Sequence, residues 1–230
     1  MRSPNQPRPF RMDPEKVAYW YLRLNGFLQI EDFYVHPGGR GSARTDADLL
    51  AVRFPHWAER LYDDPNDIMQ DDYAGLALSS DQIDVVIAEV KAGRCALNGP
   101  WTNPDRWNVH RVLAAIGCIS HDGIDCAADD IYRKGFHVSG DQLRIRLVAI
   151  GRKANEDVAS RFPQVQQVIW RDLLGFIFDR HQRYRHQKSQ TDHWDLTGKE
   201  LKKWATQRRV MREDFIQMCL EAMSRRYSGE

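Results

Sequence analysis

Residues 83–91 read Ile83-Asp84-Val85-Val86-Ile87-Ala88-Glu89-Val90-Lys91, an apolar strand that ends in Glu-x-Lys. Because side chains alternate across a strand, Glu89 and Lys91 point to the same face. An earlier apolar strand opens with Asp46-Ala47-Asp48, and one of its aspartates can join them if the two strands are neighbours. Two carboxylates and a lysine at one sheet edge are the groups needed to hold Mg²⁺ and to activate water against a phosphodiester.

The tripeptide Glu-x-Lys alone is a weak signal, because Glu200-Leu201-Lys202 matches it as well. That second copy lies in a helical pattern, where residues two apart do not share a face. The copy at 89–91 closes an apolar strand, and a lysine in that position is unusual unless it has a partner. The plainer alternative for this copy is a surface strand end with a weak ion pair.

Of the two aspartates, Asp48 directly precedes the apolar run Leu49–Val52, so we expect it to be the metal ligand, with Asp46 as the alternative. Asp48, Glu89 and the Val90 carbonyl would then bind Mg²⁺ or Mn²⁺, which prefer hard oxygen ligands. Lys91 would orient the attacking water or stabilise the developing charge.

The segments Asp48-Leu49-Leu50-Ala51 and Ala88-Glu89-Val90-Lys91 together resemble the motif of the PD-(D/E)XK nuclease superfamily. The resemblance implies a restriction-endonuclease-like fold, with Asp48, Glu89 and Lys91 as catalytic residues, and cleavage products that carry 5′-phosphates. The chain departs from the motif in having Ala47 where a proline is usual, and in the long gap between the two strands.

The opening helix extends this resemblance. Glu15-Lys16-Val17-Ala18, followed by Tyr21-Leu22 and Gly26-Phe27, is similar to the first helix of small resolvase-like members. In those proteins a helix glutamate often assists with the metal, and Glu15 matches that position. A first-turn carboxylate that is favoured by the helix dipole explains Glu15 equally well.

The chain of 230 residues has room for one α/β domain with an appendage. We expect a flexible arm at 1–12, a nuclease-like core at 13–170 with a mixed β-sheet flanked by helices, and a helical C-terminal extension at 171–230. The predicted strands are 27–35, 46–54, 83–91, 142–150 and 165–170. The predicted helices begin with one from Asp13 to Gly26 and continue with 103–117, 172–187, 197–207 and 212–226.

Charge, cysteine spacing and hydropathy bear on the partner and the cellular compartment of the protein. The net charge of +1 gives no general indication of a nucleic-acid partner. The four cysteines lack paired C-x-x-C spacing, which argues against a zinc site or a disulfide framework and favours reduced thiols. Without a signal peptide or an apolar run of membrane-spanning length, the sequence predicts a cytoplasmic protein with no membrane partner.

The predicted partner is DNA, and several polar residues are candidates to contact it. Arg40 and Arg44 lie at a glycine-rich turn, and Asn98 follows the Lys91 strand. The third candidate is a basic helical segment. Its contributing residues are Arg183, Arg185 and Lys188. Such cations suit the phosphate backbone, although a solvated helix face is an equally good interpretation.

Three alternatives to a DNA-cleaving enzyme remain at this point. The chain could be a non-cleaving nucleic-acid-binding module of the same fold, an RNA-cleaving nuclease, or a structural protein whose strand acids are coincidental. Cutting two strands often implies two active sites, so a homodimer is an option as well.

Overall fold

The computed structural model describes residues 10–35, 45–61, 64, 66–187 and 189–224. Within these residues six strands form one mixed, open sheet that is flanked by helices. The strands are β1 (Leu28–Val35), β2 (Thr45–Arg53), β3 (Ile83–Val90), β4 (Phe136–Ser139), β5 (Leu143–Gly151) and β6 (Gln166–Ile169). Their order is β1-β2-β3-β5-β4, and β6 also pairs with β5.

Chain direction divides the sheet in two. The pairs β1–β2 and β2–β3 are antiparallel, whereas β3 and β5 are parallel. The far edge of β5 is shared, since β4 runs antiparallel along its first half and β6 parallel along its second half. The carboxyl ends of β3 and β5 therefore meet at one edge of the sheet.

The described helices are α1 (Pro14–Leu24), α2 (Tyr73–Leu76), α3 (Gly99–Thr102), α4 (Asn108–Ile116), α5 (Ile124–Lys134), α6 (Glu156–Arg161), α7 (Trp170–Arg183), α8 (Leu196–Ala205) and α9 (Arg212–Ser224). The first begins as its sequence predicts: the Asp13 carboxylate accepts the Glu15 N–H at 3.0 Å, and Pro14 occupies the first turn. Gly26, with φ of 81°, turns the chain into β1.

Two hydrophobic cores lie on opposite faces of the sheet. The first is formed with α1, α7, α8 and α9, and includes Leu173 and Phe215. The second is formed with α3, α4 and α5, and includes Trp101 and Ile131. Helices α7 to α9 thus share a core with α1, instead of forming a separate layer outside it.

Strand β3 is buried on both faces, which explains its almost continuous apolar run. Val86 and Ala88 belong to the first core, and Val85 and Ile87 belong to the second. By alternation, Glu89 follows Val85 and Ile87 on the second face.

The structure confirms α1 and the first three strands to within one or two residues of their predicted bounds. It also contains α2, α3, α5, α6 and β4, which the sequence patterns did not indicate. Helix α4 begins at Asn108, later than predicted, because Pro104–Arg106 forms a separate 3₁₀ turn.

The predicted arm is described only at its end, since residues 1–9 lie outside the described part of the chain. Met12 is fully buried, and its N–H donates to the Ala222 carbonyl at 3.2 Å. The arm therefore joins the folded region before Asp13.

All four cysteines are free thiols, as their spacing predicts. Cys95 and Cys219 are buried, and Cys126 is exposed. Among the described residues no helix combines the length and the apolar character that a membrane crossing needs.

Candidate active site

The candidate site lies where β2 separates from β3. In the described sheet the two strands are paired as far as Leu49 and Ala88. Beyond that point β2 stays paired with β1, and β3 stays paired with β5 as far as Val90. We call this divergence the fork; the first residue of each strand beyond it is a carboxylate, Asp48 on β2 and Glu89 on β3.

Asp48 replaces a main-chain partner of β3 at the fork. Continuing the register would place Ala47 opposite Val90, but the Asp48 carboxylate accepts the Val90 N–H instead, with an Oδ2–N distance of 2.7 Å. Since the N–H and C=O of one strand residue point to the same side, the Val90 carbonyl also faces the fork. Asp48 is half-buried, so solvent reaches this position.

Glu89 is held by three donors. Its Oε1 accepts from Lys91 Nζ and from the Asn98 amide, and its Oε2 accepts from Trp101 Nε1 at 2.8 Å. Only 1% of the Glu89 surface is exposed. The carboxylate is therefore fixed in one orientation, and Oε2 retains a second lone pair for a further partner.

Burial raises the pKa of the Glu89 carboxyl above its ordinary value, and the nearby Asp48 charge raises this pKa further. The hydrogen bonds from Lys91 and Trp101 act in the opposite direction without cancelling the increase. Two carboxylates that repel one another in a poorly solvated position favour either a proton or a cation.

The main chain of Lys91 is held by hydrogen bonds to β5 and to the first residue of α7. Its N–H donates to the Ile150 carbonyl on β5 at 2.9 Å, and its own carbonyl accepts from Trp170 Nε1 at 3.0 Å. The Lys91 side chain is one-third exposed, so its ammonium group can contact Glu89 and solvent at once. An ammonium group in this place can stabilise negative charge that develops on a substrate.

The donor set fits a magnesium-type ion. Asp48, Glu89 and the Val90 carbonyl provide oxygen ligands only, and Mg²⁺ sites commonly combine one or two carboxylates with several waters and substrate oxygens. No group of three or more His, Cys, Asp or Glu side chains in the described residues is arranged to hold a metal ion. The fit therefore depends on two carboxylates and a main-chain oxygen. Its physical support is the burial of Glu89 next to the Asp48 charge, which together raise the Glu89 pKa.

Several predicted residues lie elsewhere or outside the described structure. Glu15 is in the first turn of α1, which packs in the first core, whereas Glu89 is on the second face. The main chain of Asp46 belongs to β2, but its side chain is outside the described structure, as are Arg40, Arg44 and Lys188 entirely. The roles of these residues stay predictions.

The basic segment lies at the far end of α7 from the fork. That helix starts at Trp170, which contacts Lys91, and its 14 residues extend for about 20 Å. Arg183 stacks on Tyr184, and the Arg185 guanidinium donates to the Thr206 carbonyl at 3.1 Å. The structure thus separates these arginines from Glu89, and their contact with DNA stays a prediction.

Asn98 and Trp101 contact Glu89, which the sequence patterns did not indicate. Asn98, predicted to touch DNA, directs its amide to Glu89, and Trp101 is a buried donor to the same carboxylate. The signal available in the sequence was proximity, since both residues lie within twelve positions of Glu89.

Comparison of the chain with protein-family models, with curated proteins and with solved structures finds no match.

Proposed function

We propose that this protein is a metal-dependent nuclease that hydrolyses phosphodiester bonds of DNA, with a restriction-endonuclease-like core. One observation carries the proposal: the fork brings Asp48 onto the Val90 N–H, next to Glu89, which in turn contacts Lys91. Asp48 lies about forty positions before Glu89 and Lys91 in the chain, so residues that suit phosphodiester hydrolysis come together from two separate strands.

Each residue has a distinct part in the proposed reaction. Asp48, Glu89 and the Val90 carbonyl would hold Mg²⁺ or Mn²⁺. The ion, when bound, supplies Lewis acidity toward the scissile phosphate and a coordinated water of lowered pKa. Lys91 would neutralise charge that accumulates on the phosphate, while Asn98 and Trp101 keep the Glu89 carboxylate in its orientation.

The test is a cleavage assay with Mg²⁺ and Mn²⁺ on linear, nicked, branched and single-stranded DNA, with single-stranded RNA in parallel. We expect cleavage of DNA by the unaltered protein and a loss of at least about a hundredfold in Glu89→Gln and in Lys91→Ala. Preferential cleavage of RNA would replace the DNA assignment with the RNA alternative.

The chain supplies matched controls for this assay. Glu200 and Lys203 form an ion pair on α8, and the Glu200 copy of Glu-x-Lys lies in a helix. The variants Glu200→Gln and Lys203→Ala remove the same chemical groups without touching the fork, so both should cleave normally. Absence of metal-dependent cleavage by the unaltered protein, or normal cleavage by Glu89→Gln, would contradict the proposal.

One observation favours a second candidate, a nucleic-acid-binding module that does not cut. Glu89 is almost completely buried and already has three donors, as a purely structural carboxylate would. Such a module would bind DNA with a steep salt dependence and leave it intact with either metal. In that case Glu89→Gln should weaken the fold and leave DNA affinity unchanged.

A further inference from the structure

The segments that follow β3 and β5 remain joined beyond the sheet. The Arg152 N–H donates to the Gly93 carbonyl at 2.5 Å, and the Cys95 N–H donates to the Lys153 carbonyl at 2.8 Å. These bonds pair Arg94 with Lys153 in a parallel bridge. The Asn155 amide adds a contact to the Cys95 carbonyl at 2.9 Å. The two segments therefore form a fixed platform next to the candidate site.

Close approach of the two main chains depends on Gly151. A Cβ atom added at Gly151 would lie 2.5 Å from the Cys95 nitrogen and 2.9 Å from the Arg94 carbonyl carbon. Both are main-chain atoms, which cannot turn away as the end of a long side chain can. A glycine at the end of a buried strand is thus required for the platform to form.

The platform presents two cations side by side. Arg94 and Lys153 are exposed partners across the bridge, and we call this pair the basic bridge. Like charges directly opposite one another on neighbouring strands destabilise the fold. In the described part of the chain neither cation forms an ion pair, not even with Glu156 and Asp157 at the start of α6. Such a pair suits an anion that carries more than one charge.

The basic bridge is close to the candidate site. Arg94 is five residues beyond Glu89, so their Cα atoms are at most about 18 Å apart. A duplex rises about 3.4 Å per nucleotide along each strand. Phosphates within about five nucleotides of a bond held at the fork are therefore within reach of Arg94 and Lys153.

We propose that the basic bridge binds the phosphodiester backbone of the substrate next to the bond that is cut. The inference rests on the proposed function for the nature of the ligand, namely a nucleic acid. Arg94 and Lys153 would then position the strand, and they would do so without reading its sequence, because phosphate contacts are the same at every base.

The test measures binding of a labelled DNA duplex in EDTA, where no cleavage occurs, over a series of salt concentrations. We expect the double variant Arg94→Gln/Lys153→Gln to bind more weakly for every sequence tried. The slope of log affinity against log salt should fall by about 2, because each lost phosphate contact removes about one unit. The double variant Arg133→Gln/Lys134→Gln, which removes two cations that contact Asp130 on α5, should leave the slope unchanged.

A second pair of variants tests the geometry without altering charge. Gly151→Ala forces the two segments apart, whereas Gly93→Ala places its methyl group where no atom lies within 4 Å. We expect weaker binding only for Gly151→Ala, with thermal melting confirming that both variants are folded. Equal binding by Gly151→Ala and the unaltered protein would overturn the platform as the basis of the site.

The remaining arms identify the ligand and separate the two proposals. If unlabelled single-stranded RNA displaces the labelled duplex as well as unlabelled duplex DNA does, the phosphodiester backbone remains the ligand. If millimolar inorganic phosphate alone displaces the duplex, the ligand is not a polymer and the inference is overturned. If the unaltered protein cleaves and the basic-bridge variant binds and cleaves equally well, this inference fails and the proposed function stands. If the variant loses binding but no protein cleaves, the proposed function fails and the inference stands only as a nucleic-acid backbone contact, with no cleaved bond beside it.

Discussion

At the scale of single residues, Glu89 carries a charge that its surroundings compensate only in part. Its pKa is raised above the ordinary value of 4.5, chiefly by burial and then by Asp48. The folded state therefore binds this proton more tightly than the unfolded chain does. Below the pKa of Glu89 in the unfolded chain, both states are protonated and the group has no effect on stability. Between the unfolded and the folded pKa, the protein loses stability as pH rises. Above the folded pKa this loss is constant.

Glu89→Gln should consequently gain stability relative to the unaltered protein as pH rises from 4.5 to 8, while it abolishes the proposed cleavage. The neutral amide avoids the cost of a buried charge, and each tenfold difference in proton affinity corresponds to about 1.4 kcal/mol. This gain should disappear near pH 4.5, where the unfolded carboxyl itself takes up its proton. Thermal melting of both proteins at the two pH values measures it. A difference in melting temperature that is the same at both pH values would contradict the raised pKa of Glu89.

Trp101→Phe should move the acid limb of the cleavage profile to higher pH. The indole N–H donates to Glu89 and lowers the pKa of that carboxyl, so removal of this donor raises the pKa further. Because the proposed metal binding needs the ionised carboxylate, the proposed activity should then be lost at a higher pH as the solution is acidified. The pH dependence of kcat/KM measures the shift. Trp107→Phe is the matched control, since Trp107 lies nearby in sequence but is about half exposed.

At the scale of elements, Asp48 makes one contact that the structure shows, with the Val90 N–H, and has one role that we propose, in metal binding. A pair of variants separates the two. Asp48→Asn keeps an oxygen that can accept the Val90 N–H but removes the charge, so it should fold normally and lose metal-dependent cleavage. Asp48→Ala loses the acceptor as well, and should cost about 1–2 kcal/mol in the free energy of unfolding. Urea denaturation beside the cleavage assay tests both. Equal stability of the two variants would show that the Asp48–Val90 contact does not support the fork.

The elements that could be predicted from the sequence are those with strong local signals. Helix α1 has Asp13, Pro14 and Gly26 at its ends, and β3 has the continuous apolar run that is typical of a strand buried on both faces. Strand β4 has just four residues, Phe136–Ser139, and is stabilised by pairing with β5, which no local pattern reveals. The divergence of β2 from β3 likewise depends on pairing, so the sequence predicts residues of the candidate site but not the fork that brings them together.

At the scale of the whole molecule, the C-terminal helices are part of the main core. Leu201 and Phe215 are fully buried in the core that also contains Val17 and Trp20 of α1. The Trp20 indole N–H donates to the Asp195 carboxylate, which also caps α8 by accepting the Gly198 N–H at 2.8 Å. We therefore expect the region after residue 170 to unfold together with the sheet in a single transition.

Two glycines in these helices provide a matched test of that packing. A methyl group at Gly198 would lie 2.1 Å from the Trp20 ring, which is enclosed in the core, whereas one at Gly175 would meet only the end of the Arg212 side chain. Gly198→Ala should cost about 1–3 kcal/mol in the free energy of unfolding through overpacking. Gly175→Ala should be neutral or stabilising, because alanine favours the helix and Arg212 can swing outward. Chemical denaturation followed both by tryptophan fluorescence and by circular dichroism measures the two. If Gly198→Ala produced two separate transitions, the C-terminal helices would be an independent unit and not part of the core with α1.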